Sequence, residues 1–329
     1  MSYSPTLDSI SRAAAAAIAL LAGVTAGSVA VDAKERYTFL TSAPGGSWYP
    51  MAAGVVEILN EKMEDVTWSL EGGAGFINNT TLAQGNIECA WVSTDGMHLA
   101  RAGEPPFESA QDQSAFRGVV MLPPSESHWV VLADSGIESI GDLKGKRVAI
   151  GERGSSANAR GLLMLSLYGI GPDDIRTEYI AEKQATKALT DGRIDAFIEF
   201  ISHPAPPVLE LSNVQEIRLL ELEPEKVEML RGRYPYFVPV SIPAGTYPGV
   251  GGETVGFGIP GSWMCLDRVP EDVVYQMVKF TFENKARLIA VHPAFNKLNI
   301  NLAKELEQAT GHSIHPGAER YYREIGLIK

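Results

Sequence analysis

Short apolar segments alternate with longer segments of helical periodicity along most of this chain. Residues 36–41 have the composition of a buried strand, and the segment after them places Met51, Val55 and Ile58 on one face of a helix. The same order of strand and helix recurs as far as the C-terminal region. This alternation predicts an α/β fold.

The order of these segments predicts two lobes with a hinge and an interlobe cleft. Strands are predicted at 116–122 and 128–133, with Pro123 and Pro124 between them as a crossover, and 254–266 reads as a returning strand. The predicted boundaries are 34–126 for the first part of lobe 1, 127–245 for lobe 2, and 246–329 for the return to lobe 1 and its C-terminal helices. Two crossings between α/β lobes make a cleft that can close.

Two more segments have a clear pattern. The stretch 235–252 contains many Pro and Gly residues and is interpreted as a long loop. The stretch 270–290 has helical periodicity with Val273, Met277 and Phe280 on its apolar face, and we expect one amphipathic helix there.

Residues 1–33 differ in composition from the rest of the chain. Arg12 is followed by an apolar run through Ala22 and then by small residues up to Ala33. This order is typical of a secretory signal peptide, with cleavage after Ala30 or Ala33. We therefore predict export to the periplasm as a soluble protein, and an uncleaved N-terminal anchor is the alternative.

Composition excludes some partners. The chain has 329 residues, of which 45% are hydrophobic, and a net charge of −12. Nucleic acid is not an expected partner, because phosphate binding needs a basic surface. A local site on an acidic protein can still be positive, so an anionic ligand remains open.

The two cysteines allow two interpretations. Cys89 and Cys265 could pair in an oxidising compartment. Both lie in apolar strand-like runs, however, and the pattern favours two buried free thiols.

Catalytic signatures are scarce in this sequence. Of the six histidines only His312 and His315 lie close together, and no cysteine or carboxylate clusters with them. The nucleophile elbow, the phosphate-binding loop and the zinc-protease motif are all absent. We expect no catalytic residue, no metal and no cofactor. An enzyme on the same fold stays open as an alternative, because partners in a catalytic site can be dispersed.

Several predicted strands end in a loop of Gly, Ser or Thr that begins a helix. Ligands of open α/β sheets bind at these strand ends, where helix N-termini offer free N–H groups and partial positive charge. The candidate ligand-binding residues are Ser47, Trp48, Tyr49, Gly73, Ala74, Ser93 and Thr94 from lobe 1, and Ser155, Ser156, Asn158, Arg160 and Glu199 from lobe 2. Ordinary helix caps and tight turns are the alternative for each loop.

Three of these candidates have a specific second interpretation. Trp48 either walls the pocket or packs under its helix. Arg160 either forks onto a ligand carboxylate or lies on a solvated helix face. Glu199 either accepts a ligand amine or is a surface carboxylate at a strand edge.

Eight segments together resemble the TAXI family, the solute receptors of tripartite ATP-independent periplasmic (TRAP) transporters. The most specific are Ile242-Pro243-Ala244-Gly245-Thr246-Tyr247 and His315-Pro316-Gly317-Ala318-Glu319-Arg320-Tyr321-Tyr322, and Pro44-Gly45-Gly46-Ser47-Trp48-Tyr49-Pro50 is similar to the family's ligand loop. The resemblance covers about residues 37–327. It implies a type II periplasmic-binding-protein fold and delivery of a ligand to TRAP membrane permease subunits. Characterised relatives bind glutamate, related amino acids or dicarboxylates such as 2-oxoglutarate.

This chain departs from the family pattern at two ligand loops. The family often has Gln-Ser-Asp where this chain has Ser93-Thr94-Asp95, and Gly-Ser-Gly-Thr-Glu where it has Gly154-Ser155-Ser156-Ala157-Asn158. The resemblance thus implies a monomeric receptor for a small carboxylate or an acidic amino acid, and leaves the ligand open. A periplasmic ligand-sensing module that docks on a membrane receptor is the alternative.

Overall fold

The computed structural model describes residues 34–44, 46–73, 75–153, 155–234 and 236–329. The predicted signal peptide at 1–33 and the candidate residue Ala74 lie outside this part of the chain. Residues 35–329 form one compact unit.

Ten strands and eleven α-helices follow one another in the described residues. The strands are β1 (Glu35–Thr41), β2 (Val66–Gly72), β3 (Cys89–Ser93), β4 (Phe116–Leu132), β5 (Arg147–Ala149), β6 (Arg176–Glu178), β7 (Ala196–Ile201), β8 (Ile217–Leu219), β9 (Val238–Ile242) and β10 (Thr254–Leu266). The helices are α1 (Trp48–Lys62), α2 (Ile77–Ala83), α3 (Thr94–Ala102), α4 (Ser156–Leu167), α5 (Glu182–Thr190), α6 (Pro206–Ser212), α7 (Pro224–Arg233), α8 (Glu271–Glu283), α9 (Lys285–Val291), α10 (Leu306–Thr310) and α11 (Pro316–Glu324). None of these helices is both long and apolar enough to cross a membrane.

All ten strands belong to one mixed sheet. Its main order is β2-β1-β3-β10-β4-β7-β5-β6, and β8 and β9 pair with β4 and β10. Strand β1 runs parallel to β2 and β3, and β5 runs parallel to β6 and β7. The long strands β4 and β10 are antiparallel to each other and lie between these two parallel groups. The fold is therefore α/β, as predicted.

The apolar side chains of the described residues form four buried clusters. Two clusters draw their residues from 39–122 and 263–322, and the other two from 129–259. We call the elements around the first two clusters the first lobe and those around the other two the second lobe. The finer boundaries at 126/127 and 245/246 stay predictions.

Three local predictions were wrong. The predicted strands at 116–122 and 128–133 are one strand, β4, which continues through Pro123 and Pro124. The predicted loop at 235–252 contains β9, which pairs with β10 alone among the described strands and has Pro239 opposite Phe257. The segment predicted as one helix at 270–290 forms two helices, α8 and α9, which are separated by Asn284.

The prediction of free thiols was also wrong, because Cys89 and Cys265 form a disulfide. They lie directly opposite each other in the antiparallel pairing of β3 and β10, with 4.0 Å between their Cα atoms. Opposite residues on neighbouring strands point to the same face of a sheet. The two cysteines are 176 residues apart, so the sequence alone does not show that they lie opposite each other on neighbouring strands.

Candidate functional site

A cavity of about 230 Å³ lies between the two lobes at the ends of several strands. It brings together six of the predicted residues, namely Ser47, Trp48, Ser93, Ser156, Arg160 and Glu199. Ser42, Asn78 and Ser125 also line it and are not among the predicted residues. Ser42 directly follows β1, Asn78 lies in the first turn of α2 and Ser125 lies within β4, so no single sequence pattern marks the three.

Four serine hydroxyls around this cavity have no partner in the described residues. Ser47 and Ser93 stand at the N-caps of α1 and α3, but neither side chain bonds to its own helix. Ser125 and Ser156 likewise make no side-chain hydrogen bond to the described protein. These hydroxyls are available to a molecule in the cavity, from both lobes and from the strand that joins them.

Trp48 lines the cavity and also packs against neighbouring strands. Its ring lines the cavity and packs edge-to-face on Trp91, with 6.0 Å between the ring centroids. A Cβ at Gly261 would lie 2.5 Å from the Trp48 ring, so only glycine leaves room for it. Strand β10 therefore supports the aromatic wall of the cavity.

The other predicted residues lie away from the cavity lining in the described structure. Ser155 caps α4 by accepting a hydrogen bond of 3.1 Å from the Asn158 amide. Thr94 donates its hydroxyl to the Pro260 carbonyl at 3.0 Å. Tyr49 lies beside Gly72, with its ring 3.6 Å from where a Cβ would stand. Ser155, Thr94, Tyr49 and Asn158 as ligand contacts stay predictions.

Gly73 supports the loop that leads to the cavity. Its amide donates to the Thr41 carbonyl at 2.8 Å. A Cβ on Gly73 would lie 1.9 Å from Asn78 Oδ1, so a larger residue would displace Asn78. The Asn78 side-chain amide donates to the carbonyls of Thr41 and Trp91, at 3.0 Å each, and so connects the end of β1 with the middle of β3.

Arg160 forms a buried ion pair that joins the two lobes. Its Nε donates to Asp95 Oδ2 at 2.7 Å and its Nη2 donates to Asp95 Oδ1 at 2.9 Å. The side chains are 9% and 2% exposed. Arg160 lies on α4 of the second lobe and Asp95 in the first turn of α3 in the first lobe. The interpretation of Arg160 as a solvated residue was therefore wrong, and its partner is a carboxylate of the protein itself.

Aromatic rings from both lobes also hold the Arg160 guanidinium. Its central carbon lies 5.3 Å from the ring centroid of Phe76 and 5.4 Å from that of Phe200. Such contacts attract a cation to the ring face. With two rings and a bidentate carboxylate, the guanidinium has little freedom to rotate.

Glu199 lines the cavity, and protein atoms surround its carboxyl group. It accepts a hydrogen bond of 3.0 Å from the Phe200 amide. Burial raises the pKa of Glu199 to about 7, although this hydrogen bond and the charge of Arg160 act in the opposite direction. Near neutral pH the group can therefore be either a donor or an acceptor toward a ligand.

A second buried carboxylate lies where β4 passes from one lobe to the other. Glu126, which is 1% exposed, accepts hydrogen bonds from Lys297 and from the amide and ring of His203. Burial alone would raise the pKa of Glu126, but the bonds from His203 and Lys297 outweigh burial and lower it. This cluster joins three segments behind the cavity.

The sheet, the two sets of core clusters and the cavity between them define a two-lobed periplasmic-binding-protein fold. The chain belongs to the NMT1-like family, whose model matches residues 39–326.

Several solved structures have a similar fold. One is described as a periplasmic transporter, with 14% identity, coverage of 89% of this chain and 98% of the other, and a TM-score of 0.53. Another is XAC2383 from Xanthomonas citri bound to ATP, with 12% identity, coverage of 89% and 100%, and a TM-score of 0.51. The aliphatic sulphonate binding protein SsuA from Escherichia coli has 16% identity, coverage of 88% and 83%, and a TM-score of 0.46. At these identities the likeness concerns the fold.

Proposed function

We propose that this chain is an extracytoplasmic solute-binding receptor that captures a small carboxylate or an acidic amino acid by closure of its lobes. The observation that carries this proposal is a set of four hydroxyls around one interlobe cavity, of Ser47, Ser93, Ser125 and Ser156, that make no side-chain hydrogen bond to the part of the chain that the structure describes. Hydroxyl groups without a protein partner cost free energy in a closed site unless water or a ligand bonds to them.

The size and polarity of the cavity favour a small anionic group. Its volume of about 230 Å³ is below the range of about 300–1,000 Å³ that holds drug-sized ligands. The first turns of α1 and α4 and the start of α3 all border the cavity through Ser47, Ser156 and Ser93. Helix N-termini carry partial positive charge and free N–H groups, which suit a carboxylate.

Delivery to a TRAP permease in the periplasm is the second part of the proposal. It is supported by the resemblance of the ligand-loop and C-terminal segments to TAXI receptors. The disulfide between Cys89 and Cys265 is typical of a protein that folds in an oxidising compartment, in agreement with the predicted signal peptide.

Thermal-shift measurements with C4 and C5 dicarboxylates and acidic amino acids test the ligand class. A ligand at 100 times its dissociation constant should stabilise the protein by about 2.7 kcal/mol. Ser156→Ala should weaken binding about fivefold, because it removes one hydrogen bond worth about 1 kcal/mol. Ser166→Ala is the matched control on the same helix, since its hydroxyl bonds at 2.6 Å to the Leu163 carbonyl away from the cavity. Silence across the panel would refute the carboxylate assignment.

A further inference from the structure

The cavity has little surplus positive charge, although it is lined by an arginine. Among its described lining residues Arg160 is the one basic side chain, and Glu199 is acidic. Asp95 already takes the Nε and Nη2 hydrogen bonds of that guanidinium. A ligand therefore meets an arginine whose charge is largely compensated by the protein.

Asp95 acts from behind the cavity wall. It does not line the 230 Å³ cavity, but together with Arg160 and Glu104 it lines a second cavity of about 180 Å³. Arg160 borders both spaces, so the ion pair stands between them. The second cavity adds two acidic side chains and no further basic one among its described lining residues.

The Asp95 pairing leaves part of the Arg160 guanidinium available. An arginine side chain has five N–H donors, and Asp95 uses two of them. The remaining donors, including both on Nη1, make no hydrogen bond to the described protein. Arg160 can thus orient an anionic group through these donors without offering a full unit of uncompensated charge.

We propose that Asp95 is a positioning residue that sets the charge selectivity of the cavity by holding Arg160 and cancelling its charge. This inference rests on the proposed function and narrows its ligand class. The cavity takes ligands whose carboxylate is accompanied by an ammonium or a neutral polar group, in preference to ligands that carry two uncompensated negative charges.

The ligand pair L-glutamate and L-glutamine tests the inference, because the two molecules have nearly the same shape and differ by one charge. Asp95→Asn keeps the shape of the side chain and leaves the Arg160 charge uncompensated. We expect the ratio of the glutamine to the glutamate dissociation constant to rise about tenfold in this variant, with a further gain for 2-oxoglutarate. A change in folding alone would not shift this ratio, since it would weaken both ligands together.

Three further variants complete the design. Asp95→Asn with Arg160→Gln makes the pair neutral and should abolish the gain in the ratio. Arg160→Gln alone leaves Asp95 negative and should lower the ratio of the glutamine to the glutamate dissociation constant about tenfold. This variant provides the test if Asp95→Asn does not fold. Asp267→Asn is the control, because it removes an equal charge from an exposed pair with Arg117.

The outcomes separate the two proposals. If ligands of the panel bind but Asp95→Asn and Arg160→Gln leave the ratio unchanged, the charge-selectivity inference is overturned and the proposed function stands. If no ligand of the panel binds any variant, the proposed function fails for this ligand class. In that case the inference is tested by comparing the melting temperature in sulfate with the melting temperature in chloride at constant ionic strength. Sulfate should raise the melting temperature of Asp95→Asn and not of the wild type, and equal responses would overturn the inference.

Discussion

The enclosed carboxyl group of Glu199 should make the stability of this protein fall as the pH rises through neutrality. Its pKa is about 7 in the folded protein and 4.5 for the ordinary group. Between these two values the folded protein binds more protons at this position than the unfolded chain does. Stability is therefore lost as the pH rises from 4.5 to 7, and the loss is complete above pH 7.

The size of this effect follows from the displacement of the pKa. A rise from 4.5 to about 7 corresponds to at most about 3.5 kcal/mol, at about 1.4 kcal/mol per pH unit. Between pH 5 and pH 8 we expect about 2 kcal/mol, because Glu199 also faces the cavity and is partly solvated there.

Glu199→Gln is the variant that isolates this contribution. Glutamine has no charge, and its side-chain oxygen can still accept the hydrogen bond from the Phe200 amide. Urea unfolding of the wild type and the variant should give curves whose difference in unfolding free energy grows by about 2 kcal/mol from pH 5 to pH 8, in favour of the variant. Glu64→Gln, at an exposed position, is the control. A constant difference across this pH range would refute the reasoning that Glu199 is desolvated.

Three other substitutions test the framework around the cavity. Replacing Cys89 and Cys265 by serine should lower the unfolding free energy by about 4 kcal/mol in urea titrations, because the disulfide closes a long loop. Gly261→Ala should displace Trp48 and weaken ligand binding about tenfold, seen as a smaller ligand-induced thermal shift. Glu126→Gln should cost about 3 kcal/mol, because it leaves two half-buried partners, His203 and Lys297, without their buried anion.

For each of these three predictions, one outcome would contradict the expected result. Equal stability of the oxidised and serine proteins would mean that the cysteines do not pair in solution. Unchanged ligand affinity in Gly261→Ala would mean that Trp48 is not part of the binding wall. The loss in Glu126→Gln should be largest above pH 4.5 and should disappear in acid, since a lowered pKa contributes stability only where the group is ionised. A loss that does not change with pH would exclude the ion pairs as its cause.

Most strands and helices followed from the hydrophobic pattern, and the exceptions have physical causes. The pattern placed α1 and β10 correctly because each carries a run of buried apolar residues. Strand β4 was divided at Pro123 and Pro124, because proline lacks the amide that a ladder needs. The structure accommodates both at a register shift in the β4–β10 pairing, between the pairs Leu122–Gly261 and Ser125–Ile259, where neither proline has a paired residue in β10.

The candidate site was recovered in part. Polar residues after strand ends were predictable, because sheet topology brings the carboxyl ends of parallel strands to one edge. The partner of Arg160 was not, because Asp95 precedes it by 65 residues and lies on the other lobe. Pairings of this kind depend on how the lobes pack, and neither periodicity nor local motifs carry that information. The same reason accounts for the cysteine pair.

The path of β10 gives the molecule a mechanical property. β4 and β10 remain hydrogen bonded to each other on both sides of a register shift between Ile259 and Gly261. The residue skipped there is Pro260, whose carbonyl receives the Thr94 hydroxyl at the first residue of α3. A rotation of one lobe against the other therefore twists the β4–β10 pair. Thr94 is hydrogen bonded to this pair, and Asp95 follows it in α3. The twist therefore also displaces the residue that pairs with Arg160. Bending of the backbone and loosening of the cavity wall are thus a single coupled movement.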